Sequence, residues 1–175
     1  MKIFRTTLVT LLLALLAIGS WGDGHAAIAL VASSQFNNHA AGATSVAVTR
    51  ASVTPGDFIP IIVIGSSTAA PSSIVDSAGN TLHADIAWQV VASGGVSFGF
   101  GIYHVENASG GSHTFTLTVS ASENLAIFGA EYSGVAAASA LDTASAIATS
   151  TTTAKSTASI TPTQNGDLVL FAISQ

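Results

Sequence analysis

The chain has 175 residues, 4 Lys and Arg against 9 Asp and Glu, a net charge of -5 with histidine neutral, and no cysteine. So few bases exclude a surface built for phosphate backbones or anionic lipid, which needs clustered Lys and Arg, and the missing thiols exclude disulfides and a cysteine-linked lipid anchor. With only 7% charged residues, Ser, Thr, Asn and Gly must supply the solvated surface, a composition that suits an extracellular β protein.

Residues 1–26 read as a secretory leader. Lys2 and Arg5 form a positive n-region, residues 8–18 are apolar without a charge, and Gly24-His25-Ala26 offers a small-residue cut after Ala26. That apolar run is too short to cross a bilayer, which takes about 20 residues in a helix. Cleavage removes Lys2, Arg5 and Asp23, leaving Arg50 and Lys155 against eight carboxylates. Neither nucleic acid nor membrane insertion is therefore expected of the processed chain. A body of about 150 residues buries roughly 68–70% of its unfolded surface, so residues 27–175 are read as one domain.

From residue 27 onward the apolar residues recur at period two, the mark of strands with one face buried. Strands are predicted at 27–32, 45–51, 58–64, 74–75, 86–91, 96–102, 113–119, 125–132, 144–148, 157–160 and 168–173. In the run at 113–119, Phe115, Leu117 and Val119 alternate with Thr114, Thr116 and Thr118. In the run at 96–102, Val96, Phe98, Phe100 and Ile102 share a face opposite Ser97, Gly99, Gly101 and Tyr103. The turn cluster at 107–111 between these two runs predicts that they pair as a hairpin. Pro60 belongs at an edge or bulge because it has no N–H to donate. Thr54-Pro55-Gly56-Asp57 and Asn165-Gly166-Asp167 each read as a turn before a strand, with Asp57 and Asp167 as turn residues. Many short strands without helical periodicity indicate an all-β, two-sheet antiparallel sandwich, jelly-roll or immunoglobulin-like.

Several residues are candidates for chemistry. Gly95-Val96-Ser97-Phe98-Gly99 matches the hydrolase nucleophile pattern, but it lies in alternating strand sequence with no helix after it. His83, His104 and His113 lack metal-ligand spacing, although His104 and His113 flank the predicted hairpin turn. Calcium is weighed at Asp76, Asn80 and Asp85, whose spacing matches no calcium loop. Otherwise no cofactor is expected. Asp76 reads instead as a turn cap that accepts an N–H two residues on, with Gly79 or Asn80 at positive φ. Glu131 interrupts an apolar strand, and facing inward it must be paired or protonated. Trp88 reads as core or, with Tyr103 and Phe36, as part of an aromatic ligand-binding face. Asn107-Ala108-Ser109 is a formal glycosylation sequon, which matters only in a eukaryotic secretory pathway.

Asp76-Ser77-Ala78-Gly79-Asn80-Thr81, Gly101-Ile102-Tyr103-His104-Val105-Glu106-Asn107, Glu131-Tyr132-Ser133-Gly134-Val135, Leu141-Asp142 and Asn165-Gly166-Asp167-Leu168 together resemble a group of bacterial secreted β-sandwich modules. Members stand beside immunoglobulin-like or fibronectin-like modules in cell-surface proteins, so the resemblance implies fold and location and carries over no catalytic residue. It implies a structural corner at Glu131, Tyr132 and Gly134. It also implies that the module runs on past the strand at 168–173, so the sandwich is read as C-terminally truncated or completed by other means.

The sequence is thus read as a secreted or cell-surface, non-enzymatic structural or adhesive module, its partner a surface protein or a glycan. A carbohydrate-binding module is the alternative, and a serine hydrolase the third reading.

Overall fold

The structure, a computed structural model, describes residues 27–66, 70–93, 96–145, 147, 159–163, 166–170 and 172. The leader read at 1–26 lies outside them. All regular structure among the described residues is strand, without a helix, and every strand pair is antiparallel. β1 (Ala29–Leu30) pairs with β8 (Tyr132–Ser133) in a two-stranded sheet. The other sheet has six strands. These are β2 (Phe36–Val53), β3 (Ile59–Gly65), β4 (Pro71–Asp76), β5 (His83–Ser93), β6 (Val96–Val105) and β7 (Gly111–Gly129). Their order is β2-β7-β3-β6-β5, with β4 also on β7.

The sequence of β3 explains its central place. Its near-continuous apolar run suits a strand covered on both faces. Ile59, Ile61 and Val63 enter the main buried cluster, while Ile62 and Ile64 enter a second on the opposite face. Long β2 and β7 run side by side. The first half of β7 lies between β2 and β4 (Val48↔Phe115, Ile74↔Leu117), and its second half lies between β2 and β3 (Asn38↔Ile127, Val63↔Ile127). Register shifts in β2 between Ala40 and Ser45 mark the join. There Gly42 takes φ 59° and its N–H donates to Asn124 Oδ1 at 3.1 Å, so the irregular backbone is satisfied by a side chain. The inward residues of both halves of β7, namely Phe115, Leu117, Val119, Leu125 and Ile127, meet Val46 and Val48 of β2 and the inner face of β3 in one cluster.

The alternation at 96–102 and 113–119 describes faces correctly, but the hairpin between these runs does not form. β6 has β3 on one side and β5 on the other, whereas β7 pairs with β2, β3 and β4. Both edges of β6 are occupied. Its exit loop is docked elsewhere: Gly56 N–H donates to the Ala108 carbonyl at 2.8 Å and Ala108 N–H to the Asp57 carbonyl at 2.9 Å. The separate strands expected at 113–119 and 125–132 are β7 followed by β8, and the run at 45–51 is the second half of β2. In the stretches 144–148, 157–160 and 168–173, the described residues are not strand. Apolar side chains there cover the sheet instead: Ile147 and Ala172 pack on the second cluster, and Leu168 and Leu170 on a third around Phe58, Ala130 and Tyr132.

Pro60 lies on interior strand β3, not at an edge, opposite His104. Phe58 N–H donates to the Tyr132 carbonyl, so the N–H missing two residues on would point to the same side, beyond the last β3–β7 pair at Ile61↔Gly129. The ladder is interrupted at the one place where proline can sit.

Candidate binding groove and its polar surroundings

An open groove of about 410 Å³ is lined by Ala70, Pro71, Ser73 and Ile74 of β4 and its approach, Leu82, Ala87 and Trp88 of β5 and its approach, and Tyr103 of β6. Its two aromatic side chains rest on glycine. Where Gly99 stands, a Cβ would overlap the Trp88 ring, and at Gly65 it would meet Trp88 Cη2 at 2.9 Å. At Gly101 it would meet Tyr103 Cε2 at 2.8 Å. The glycines in Gly99-Phe100-Gly101 thus give two aromatic rings room to lie on the sheet.

A β-bulge aims the indole. Ile86 pairs with Ile102 and Gln89 with Phe100, so Ala87 and Trp88 together oppose the single residue Gly101. Bulges re-aim side chains and concentrate at sheet edges and beside binding sites. β5 ends the strand order, and both residues of this bulge line the groove. Trp88 N–H donates to the Tyr103 hydroxyl at 3.2 Å, which leaves the phenolic proton free to donate elsewhere. Burial pushes the Tyr103 phenol above its ordinary value, against the effect of that hydrogen bond, so the proton stays on at neutral pH. Trp88 is half-buried, packing on the main cluster while lining the groove. Phe36 is not with them. It stacks on Phe115 with centroids 5.7 Å apart, over Gly129.

The remaining candidates fall into three polar clusters. In the first, Arg50 Nε donates to Glu131 Oε2 at 2.9 Å and Thr54 N–H to Glu131 Oε1 at 2.8 Å, so the inward carboxylate is paired. Glu131 is fully buried and Asp57 nearly so. Burial, followed by the hydrogen bond and the charge of Glu131, raises Asp57 to about 6. Burial also opposes ionisation of Glu131, but the Thr54 N–H, Arg50 and Asp57 outweigh it and hold the carboxylate below its ordinary value. Tyr132 is buried beside them, pairing with Leu30 and Phe58. Gly134 follows at φ 78°.

The second cluster pins the turn after β4 to the loop before β7. Ala78 N–H donates to Asp76 Oδ1 at 3.0 Å, and Gly79 takes φ 79°. Asn80 Nδ2 donates to Asp76 Oδ2 at 2.7 Å, while Asn80 Oδ1 accepts Ser109 N–H at 3.1 Å. His113 Nδ1 lies 2.9 Å from Asp76 Oδ2, and Nε2 donates to the Ser109 carbonyl at 2.7 Å. A proton committed to a carbonyl leaves that nitrogen unable to serve as a base. In the third cluster, His104 Nδ1 lies 2.6 Å from Asp85 Oδ1, with Phe58 and His83 stacked on its ring. Glu106 accepts Ala140 N–H at 3.0 Å.

His104 and His113 therefore belong to different clusters and do not meet across a hairpin. Asp85 pairs with His104, apart from Asp76, whose oxygens are taken up by Ala78 N–H, Asn80 Nδ2 and His113, and from Asn80, whose oxygen accepts Ser109 N–H. No group of His, Asp and Glu among the described residues is arranged to hold a metal ion. Ser97 is exposed on β6, within an uninterrupted strand, and Gly95 lies outside the described residues. No protein-family model, curated protein or solved structure matches this chain.

The bulge, and the glycines on which the two rings rest, are signals that alternation alone misses. Period-two reading put Gly99, Gly101 and Tyr103 on one face, and the bulge adds Trp88 to it.

Proposed function

We propose that the chain is an exported, non-enzymatic β-sandwich module serving as a structural or adhesive element at a bacterial surface or in secreted material. The sandwich reading rests on the single cluster that gathers the inward residues of both halves of β2 and β7 with β3. Residues so far apart along two continuous strands come together when the sheet doubles over its own apolar face. The observation that carries the functional reading is how the acids and histidines are used. Asp76 with His113, Asp85 with His104, and Glu131 with Arg50 form closed pairs that cross-link turns and strands, while the groove is lined by uncharged side chains. The resemblance to secreted modules and the leader at residues 1–26 support the address.

A carbohydrate-binding module is the second reading, favoured by the meeting of Trp88 and Tyr103 in one groove. A serine hydrolase, the third, has no supporting observation.

The address is tested by expressing the full chain in a bacterial host and reading the mass and first residue of the product in each cell fraction. The expected product begins at Ala27 and is found outside the cytoplasm. A product that keeps Met1 and stays in the cytoplasm contradicts the proposal.

A further inference from the structure

We infer that the Trp88–Tyr103 groove is a binding site for a neutral glycan, its two rings forming a short stacking platform for equatorially linked pyranose units. The inference rests on the adhesive side of the reading above and gives it a ligand class. Three observations carry it. The rings lie over Gly99 and Gly101 of one strand, positions two residues apart and hence roughly 7 Å apart along it. A platform of that length suits a short run of sugar rings, whose flat C–H faces stack on aromatic surfaces. The second observation is the bulge that brings Ala87 and Trp88 together opposite Gly101 on edge strand β5. The third is charge. No groove-lining residue is ionic at neutral pH, and the chain carries a net charge of -5, so acidic glycans meet repulsion without a cation to receive them. The Tyr103 proton, which its bond to the Trp88 N–H does not use, and the Ser73 hydroxyl can supply directional bonds in the groove, the usual division of labour in small-ligand sites.

The test is a fluorescence titration of the full chain carrying Trp21→Phe, so that Trp88 is the sole indole. The probes are soluble oligosaccharides of β-linked glucose and of β-linked xylose, with oligogalacturonate as the acidic control. Expected is a saturable shift of Trp88 emission with a neutral oligosaccharide and none with the acidic one. Ala87→Arg, at an exposed groove-lining position, should abolish the shift while the cooperative melt is retained. Ala70→Arg, also exposed and groove-lining, is the second blocking variant. A shift that survives both variants places the sugar elsewhere and overturns the inference. Silence with every neutral oligosaccharide also overturns it. In that case adhesion of the same sample to protein-coated surfaces leaves the module reading standing, and loss of adhesion as well removes both.

Discussion

Asp57 lies beside Glu131, which pairs with the Arg50 guanidinium, and the opposite shifts of the two carboxyls set how stability follows pH. Asp57 is raised from 3.8 to about 6 by burial and by Glu131, so its contribution is fully present below pH 3.8 and is lost as pH rises through about 6. Glu131, held below its ordinary value of 4.5, contributes stability above that value and loses it as pH falls through its lowered one. The pair is therefore best satisfied with one charge, on Glu131, from the lowered value of that group up to about pH 6. Asp57→Asn should gain up to about 3 kcal/mol relative to the parent at pH 8 and little at pH 4. Urea denaturation at both pH values checks this, and an equal effect at each would contradict it. Arg50→Met leaves Glu131 buried with the Thr54 N–H but without its cation, and should cost about 3 kcal/mol at pH 7 in the same measurement. Part of this cluster was legible in the sequence, since an inward Glu131 had to be paired or protonated. That its partner would be Arg50, 81 residues away, depended on the return of β2 beside β7.

At the scale of elements, β5 and β6 work as one unit in which glycines on one strand make space for aromatics. Gly99→Ala would drive a methyl group into the Trp88 ring. The expected cost is about 1–3 kcal/mol, with loss of the near-ultraviolet dichroism that a held indole gives. In the Trp88→Ala background the same substitution should cost far less, because the overlap has gone. Additive effects would show that the ring does not rest on Gly99. Alternation revealed the faces of β6 and β7, because the side-chain period is a property of each strand alone. Partners were not legible. Pairing depends on where loops send the chain, and the 107–111 loop that read as a hairpin turn is bound to the 54–57 turn instead. The runs at 144–148 and 168–173 read as strand, the first from β-branched content and the second from an apolar run after a turn, because both signals mark burial as much as they mark ladders.

For the whole molecule, the chemistry divides by location. Glu131, Asp76 with His113, and Glu106, all buried or half-buried, tie Thr54 to Glu131, the turn after β4 to Ser109, and Glu106 to Ala140. Such pairs do the cross-linking that a chain with no cysteine cannot obtain from disulfides. The open groove is left to uncharged and aromatic side chains. The division is clearest at Trp88, which composition alone could assign to core or to a binding face and which packs on the core while lining the groove. The most direct measurement is a glycan array probed with the full chain and with Ala87→Arg. Saturable binding confined to neutral glycans, and absent in the variant, is the result expected. Binding to acidic glycans, or binding that Ala87→Arg leaves unchanged, would contradict the account.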